Sequence, residues 1–274
     1  MNRNNNLSVL PFYQSIDEQD HRKAYAYGEI YPLFTQVGVL PPFQIVEPHS
    51  ANSPSSAVVY KADGTAVTGN ILNTLINAGF AYKPFASEGY DVYVYPGTAT
   101  NTGVVPSEGQ FYIAITIGAT TYYSDVFTAV QQVSPYLKVE WQDREDLVMD
   151  GCRIVYDLGS GTLFKNRLYL YTELGKPDYT FEEEVEKRDG LIFPEKMISA
   201  KTFKFTFIAN EPLCDVMRFI RMADIVTITD KYGRTYECDQ FLMTPKWETQ
   251  GNIASVSCEF QVNTVAKRIG RAYV

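Results

Sequence analysis

The strongest constraint on this chain is a period of two. Phe203, Phe205 and Phe207 fall on one side of an extended segment, with Lys204 and Thr206 on the other. The same rhythm returns in Ala254, Val256, Cys258, Phe260 and Val262, which alternate with Ser255, Ser257, Glu259 and Gln261, and in Phe111, Ile113, Ile115 and Ile117. Side chains spaced this way suit a half-buried strand and no other regular element. Aromatic residues make up 14% of the chain, and Tyr and Phe pack well on a pleated surface. The chain is therefore expected to be mainly β.

Turn signals divide the pattern into two units behind a polar arm. Residues 1–24 form the arm, with Leu7–Phe12 as its one sticky patch. Residues 25–135 read as short strands: Val58–Lys61 and Thr65–Val67 around an Asp63-Gly64 turn, Asp91–Tyr95 stopped by Pro96-Gly97, and Phe111–Ile117 paired back by Thr121–Phe127. Their number and spacing predict an immunoglobulin-like β-sandwich. A short helix is expected between Asn70 and Gly79. Composition shifts near Ser134-Pro135, and residues 136–274 read as a second β domain. In it Asn210 caps, Glu211 and Pro212 start, and Leu213, Val216, Met217 and Ile220 stripe one amphipathic helix over about 211–222. A hairpin over Ile225–Cys238 and a closing strand, Ile253–Val262, follow.

Several chemistries lack their residues. Two histidines cannot build a three-His zinc site, and Cys152, Cys214, Cys238 and Cys258 contain no C-x-x-C pair. The four cysteines are expected to be free thiols on apolar positions, with Cys238 and Cys258 the pair whose strands can be neighbours. His21 lies in the arm and His49 in a loop, neither near a G-x-S-x-G elbow, so no serine triad is expected. Gly159-Ser160-Gly161-Thr162 lacks the Gly-Lys of a phosphate loop and reads as a turn. Glu182-Glu183-Glu184 reads as a surface acid run. The expectation is a chain that is not an enzyme, with no catalytic residue, cofactor or metal. Tyr93, Tyr95, Tyr112, Tyr122 and Tyr123 are candidates for a sugar-binding platform, against the plainer reading that they cover sheet faces.

Charge and hydropathy bound the partners. The net charge of −8 argues against direct nucleic-acid binding. It is uneven: residues 140–195 carry −7 and residues 196–274 carry +3, an asymmetry that suits copies packing against one another, against the plainer reading of an acidic solvated loop. No apolar run is long enough to cross a bilayer and the first residues are polar, so no membrane is expected and the chain is expected to be made in a cytoplasm.

Two stretches resemble a known pattern. Tyr122–Phe127 followed by Tyr136–Trp141, then Ser199–Phe203 through Asn210–Asp215 to Trp247-Glu248, resemble proteins encoded beside tail genes of tailed bacteriophages and prophages. The order strand, helix, hairpin, closing strand in residues 196–262 is similar to the tail-tube-like fold of tube, distal tail and baseplate hub proteins. In distal tail proteins the tube-like domain usually comes first, whereas here the sandwich does. The resemblance implies a structural component of the phage tail or baseplate, assembled in the host cytoplasm and located in the virion. It implies copies of itself in a ring and other tail proteins as partners, and it carries no catalytic residues. The alternative is a carbohydrate-binding or adhesion module. For the ring, Ile225–Thr229 and Ile253–Val262 are the expected edge strands, and the arm is expected to lie on another subunit.

Overall fold

The computed structural model describes residues 8–15, 33–97, 103–149, 152–159, 163–247 and 253–268. His21, most of the arm, and Ser160–Thr162 of the glycine-rich turn lie outside them. The fold is mainly β. The first half contributes β1 (Phe12–Tyr13), β2 (Phe34–Gln36), β3 (Phe43–Pro48), β4 (Pro54–Lys61), α1 (Leu72–Asn77), β5 (Ala81–Phe85), β6 (Tyr90–Tyr95), β7 (Gly109–Ile117), β8 (Thr120–Ser124) and β9 (Phe127–Val130). The second contributes β10 (Leu137–Gln142), β11 (Leu147–Met149), β12 (Cys152–Ile154), β13 (Asn166–Leu170), β14 (Asp178–Arg188), β15 (Leu191–Asn210), α2 (Glu211–Met217), β16 (Ile225–Thr229), β17 (Thr235–Glu237), β18 (Gln240–Trp247) and β19 (Ile253–Arg268).

Strand β7 is the spine of the first half. It pairs β4 along one side, and β8 and then β9 along the other, so β8 and β9 act as two pieces of one neighbouring strand. Strands β3, β6 and β5 make a separate three-stranded sheet. That sheet is a middle layer. Phe43, Ile45, Tyr93 and Tyr95 on one face join the core of Phe111, Ile113 and Ile115. Val46, Tyr90, Val92 and Val94 on the other face join Ile154, Val155, Tyr156 and Phe164 of the second half. All six residues of β6 are consequently buried.

Strand pairing respects the boundary near residue 135, since every pair stays within residues 12–130 or 137–268 among the described residues. The core does not. Gln44 Oε1 accepts from the Val155 amide at 3.0 Å and its Nε2 donates to the Val155 carbonyl at 2.5 Å. Arg167 donates to the Gly97 carbonyl at 2.8 Å and to Glu140 at 2.7 Å. The two halves are therefore welded through buried polar bonds as well as apolar contact.

Part of the expected arm belongs to this body. Strand β1 pairs antiparallel with β8, and Val9, Leu10, Phe12 and Tyr13 are buried, with Phe12 against Phe43 at 4.9 Å. For residues 8–15 this corrects the reading of an arm laid on another subunit: the sticky patch is core, because the apolar side chains that look stray in a polar terminus complete a sheet of the same chain.

The striped helix forms where expected, with Asn210 Oδ1 accepting from the Leu213 amide at 3.1 Å, but it is shorter. After Met217 the backbone tightens from i−4 to i−3 bonds into a 3-10 turn at Ile220–Met222. The tighter turn seats sequence neighbours Phe219 and Ile220 in different apolar clusters. Leu213, Val216, Met217 and Ile220 are all buried in the core that holds Phe203, Phe205 and Phe207. Met217→Ala or Ile220→Ala is expected to cost ~2–5 kcal/mol in denaturant unfolding; a change within ~0.5 kcal/mol would contradict this packing.

Cys214, Cys238 and Cys258 carry free thiols. Burial first, and nearby acidic groups second, push Cys214 up to about 11 and Cys238 up to about 12; burial with Cys214 nearby does the same for Cys258. At pH ~8 these thiols are protonated, so iodoacetamide should leave all three unlabelled in the folded protein and label them once it is unfolded. Labelling of any of them at the rate of a free cysteine would overturn the assignment.

Candidate functional site

Two places stand out, one buried and one exposed. The buried one is a carboxylate cluster made by the pairing of β3 with β6, which sets Glu47 directly opposite Asp91. Asp91 is fully buried. It accepts from His49 Nδ1 at 2.7 Å, the Ser50 amide at 2.9 Å and the Ala51 amide at 3.1 Å. Burial raises its pKa, but these bonds outweigh burial and hold the carboxyl below its ordinary value. They also hold Ala51 in the left-handed region, at φ 53°. Glu47 accepts from Ser50 at 3.0 Å, from Tyr122 at 3.0 Å and from the Tyr93 hydroxyl at 2.9 Å, and that hydroxyl also lies 2.5 Å from the Asn52 carbonyl. Burial, reinforced by Glu47, drives the pKa of both phenols upward. Both carboxylates are thus occupied by donors of the same chain. His49 lies in an exposed loop, as expected, and its contact with Asp91 also clasps that loop, which the sequence could not show because Asp91 lies 42 residues away.

The sugar-platform tyrosines do not form an open surface. Tyr93, Tyr95, Tyr112 and Tyr122 are buried and Tyr123 is half-buried. Tyr93, Tyr95 and Tyr122 belong to the main core, and Tyr112 and Tyr123 pack with Tyr60, Ala62 and Val126 in a small cluster of their own.

The exposed place is a ribbon. Strands β14 and β15 form a hairpin through Asp189-Gly190, both at positive φ as a two-residue turn of the I′ kind requires. With β19 and β18 they make a four-stranded sheet in the order β14-β15-β19-β18. Inside the body, one face of this sheet carries Phe203, Phe205, Phe207, Phe241, Val256, Cys258 and Phe260, all buried. The same face continues outward. Tyr179 lies opposite Lys201, Phe181 and Val265 lie opposite Ser199, and Met197 follows two residues before it. Phe181 is 73% exposed and Val265 61% exposed. The opposite face bears Asp178, Glu182, Glu184 and Lys196, with Lys204 3.5 Å from both Asp178 and Glu259. The ribbon is therefore amphipathic, with an apolar side that Glu183, opposite Met197, interrupts and that is uncovered in the single chain. Glu182-Glu183-Glu184 is exposed, as a surface acid run should be, and lies within β14.

The open edges differ from the expected ones. Strand β16 lies between β10 and β17, and β19 lies between β15 and β18, so neither Ile225–Thr229 nor Ile253–Val262 is an edge. Clean alternation reports one buried face and says nothing of how many neighbours a strand has. The outer strands of the ribbon sheet are β14, without a proline, and β18, which carries Pro245.

Among the described residues no helix is long and apolar enough to cross a membrane. Compared with known proteins, the chain matches no family model, no curated protein and no solved structure.

Proposed function

We propose that the chain is a structural protein of a tailed-bacteriophage virion, a tail or baseplate component that assembles in the host cytoplasm into a ring of its own copies and docks neighbouring tail proteins. The observation that carries this reading is the ribbon: an apolar core face that runs on past its own core, bordered by an open strand of 11 residues. An uncovered apolar face and an unpaired edge are both satisfied by a second chain. Two copies of β14 do not suit each other. Antiparallel self-pairing sets Glu182, Glu183, Glu184 and Glu186 of one copy near those of the other, and like charges opposite one another repel. The edge is instead matched to the other border of the sheet, β18, whose one charged side chain is Lys246. Such a contact is head-to-tail, and repeated about an axis it closes a ring.

The finer fold assignment belongs to the same proposal. Residues 25–135 are read as an immunoglobulin-like sandwich on the strength of two sheets sharing one core. Residues 136–274 are read as tail-tube-like on the order β15, α2, the β16–β17 hairpin and β19. A non-catalytic role is supported by the saturation of Glu47 and Asp91, whose oxygens are taken up by internal donors. Electron microscopy of the purified chain tests the reading. Closed rings are expected, six-fold or a multiple of it by the resemblance; open filaments or separate single chains at tens of micromolar would contradict it.

A further inference from the structure

A second opening lies at the other border of the ribbon's own sheet. A cleft of about 250 Å³ sits beside the first residues of β18, between that strand, the 3-10 turn at Ile220–Met222 and the start of β16. Ile220, Val226 and Phe241 wall it from the core, and Gln240 and the exposed Arg221 stand on its rim. An apolar wall under a polar rim suits a phenol, whose ring is apolar and whose tip forms hydrogen bonds.

The register of the sheet connects this cleft with β14. Asp178, Thr202, Gln261 and Gln240 form one cross-strand row, so β14 starts at the level where β18 starts. Each strand of the sheet runs antiparallel to the next, from β14 through β15 and β19 to β18. A further strand added antiparallel at β18 therefore runs in the direction of β14. A copy set there without a slide along the strands brings its Tyr179 diagonal to Phe241, at the mouth of the cleft. The faces agree as well. Lys201 Nζ lies over the rings of both Tyr179 and Phe203, at 6.0 and 4.9 Å, so the two rings share a side. Phe203, Phe260 and Phe241 are one row of that same side.

Charge selects the same occupant. Glu183 interrupts the apolar face of β14, and among the described residues neither Glu183 nor Arg221 has an ion-pair partner. On the opposite face β14 carries Glu182 and Glu184, where β18 offers Lys246. We propose that this cleft is the receptor for the ribbon of a neighbouring copy. Tyr179 of one chain enters the cleft of the next, its ring against Phe241 and Ile220 and its hydroxyl towards Arg221, and Glu183 adds the acid that Arg221 lacks. In the head-to-tail ring proposed above, on which this assignment rests, cleft and ribbon are the two halves of one contact.

Light scattering on paired variants tests it. Arg221→Glu leaves the ribbon intact, sets an acid against Glu183 and should weaken association ~100-fold. Ala223→Phe, which fills the cleft, should do the same with an unchanged circular dichroism spectrum. The sharpest sample is an equimolar mixture of Arg221→Glu with the double variant Tyr179→Ser, Phe181→Asp. One supplies an intact ribbon and the other an intact cleft. The mixture should therefore give a species of two chains, twice 31.0 kDa, although each variant alone stays a single chain. Cleft variants that assemble like the wild type, or a mixture without the two-chain species, would overturn the assignment and leave the self-association of the ribbon standing. A wild-type chain that never associates would instead remove the head-to-tail reading, and the assignment with it.

Discussion

Asp91→Ala is expected to be the most destabilising single substitution in the first half of the chain, costing about 3–5 kcal/mol and lowering Tm by about 10 °C. The carboxylate is buried and collects donors from His49, Ser50 and Ala51 as well as from the Tyr82 side chain. Removing it strands two backbone amides and an imidazole, and releases a left-handed Ala51 that has no other reason to stay. The pH dependence has a definite sign. The folded pKa of Asp91 lies below its ordinary value of 3.8. Its stabilising contribution is therefore complete above that value, erodes as pH falls from there, and is gone below the depressed folded value. Acid unfolding of the wild type should steepen in that window, and the same component should vanish from the alanine variant. Equal acid profiles for the two proteins would show that the cluster does not hold the loop.

The second large effect concerns assembly and not folding. Tyr179→Ser combined with Phe181→Asp should change unfolding by no more than ~0.5 kcal/mol, because both rings are largely exposed in the single chain. Association should suffer far more. Two aromatic anchors at the centre of an interface contribute about 2 kcal/mol each, so their loss weakens it about 1,000-fold. Ionic strength acts in the same direction with less force, since the contact joins an acidic strand to the less acidic border of the sheet.

Much of the local structure was legible in the sequence. Phe203, Phe205 and Phe207 marked a half-buried strand, Asn210 a helix cap, and the stripe from Leu213 to Ile220 a buried face, because each signal is spelled within one turn or one strand. The 3-10 tightening after Met217 was not legible, since it serves two clusters that come together only in the folded chain. Strand β6 carried no warning of its double burial: Tyr and Val suit either face, and only the layer from β12 and the segment after it decides the matter. His49 and Asp91 meet through the register of β3 on β6, which no local pattern encodes. Edges are the hardest case. Ile225–Thr229 and Ile253–Val262 looked like edges because they alternate, whereas β14, whose Glu182-Glu183-Glu184 is exposed as expected, gave no such sign of being the border. Its alternate residues Tyr179, Phe181 and Val185 share a face that Glu183 interrupts, so the apolar side of β14 is not spelled cleanly in the sequence.

The native mass of the chain bears most directly on the central claim that the ribbon is covered by a second copy. Light scattering on the purified protein at tens of micromolar and low salt should give a mass several times 31.0 kDa. The Tyr179→Ser, Phe181→Asp variant should elute at the mass of one chain under the same conditions. Wild-type protein that stays at 31.0 kDa across that range, or a variant that assembles as well as the wild type, would contradict the account.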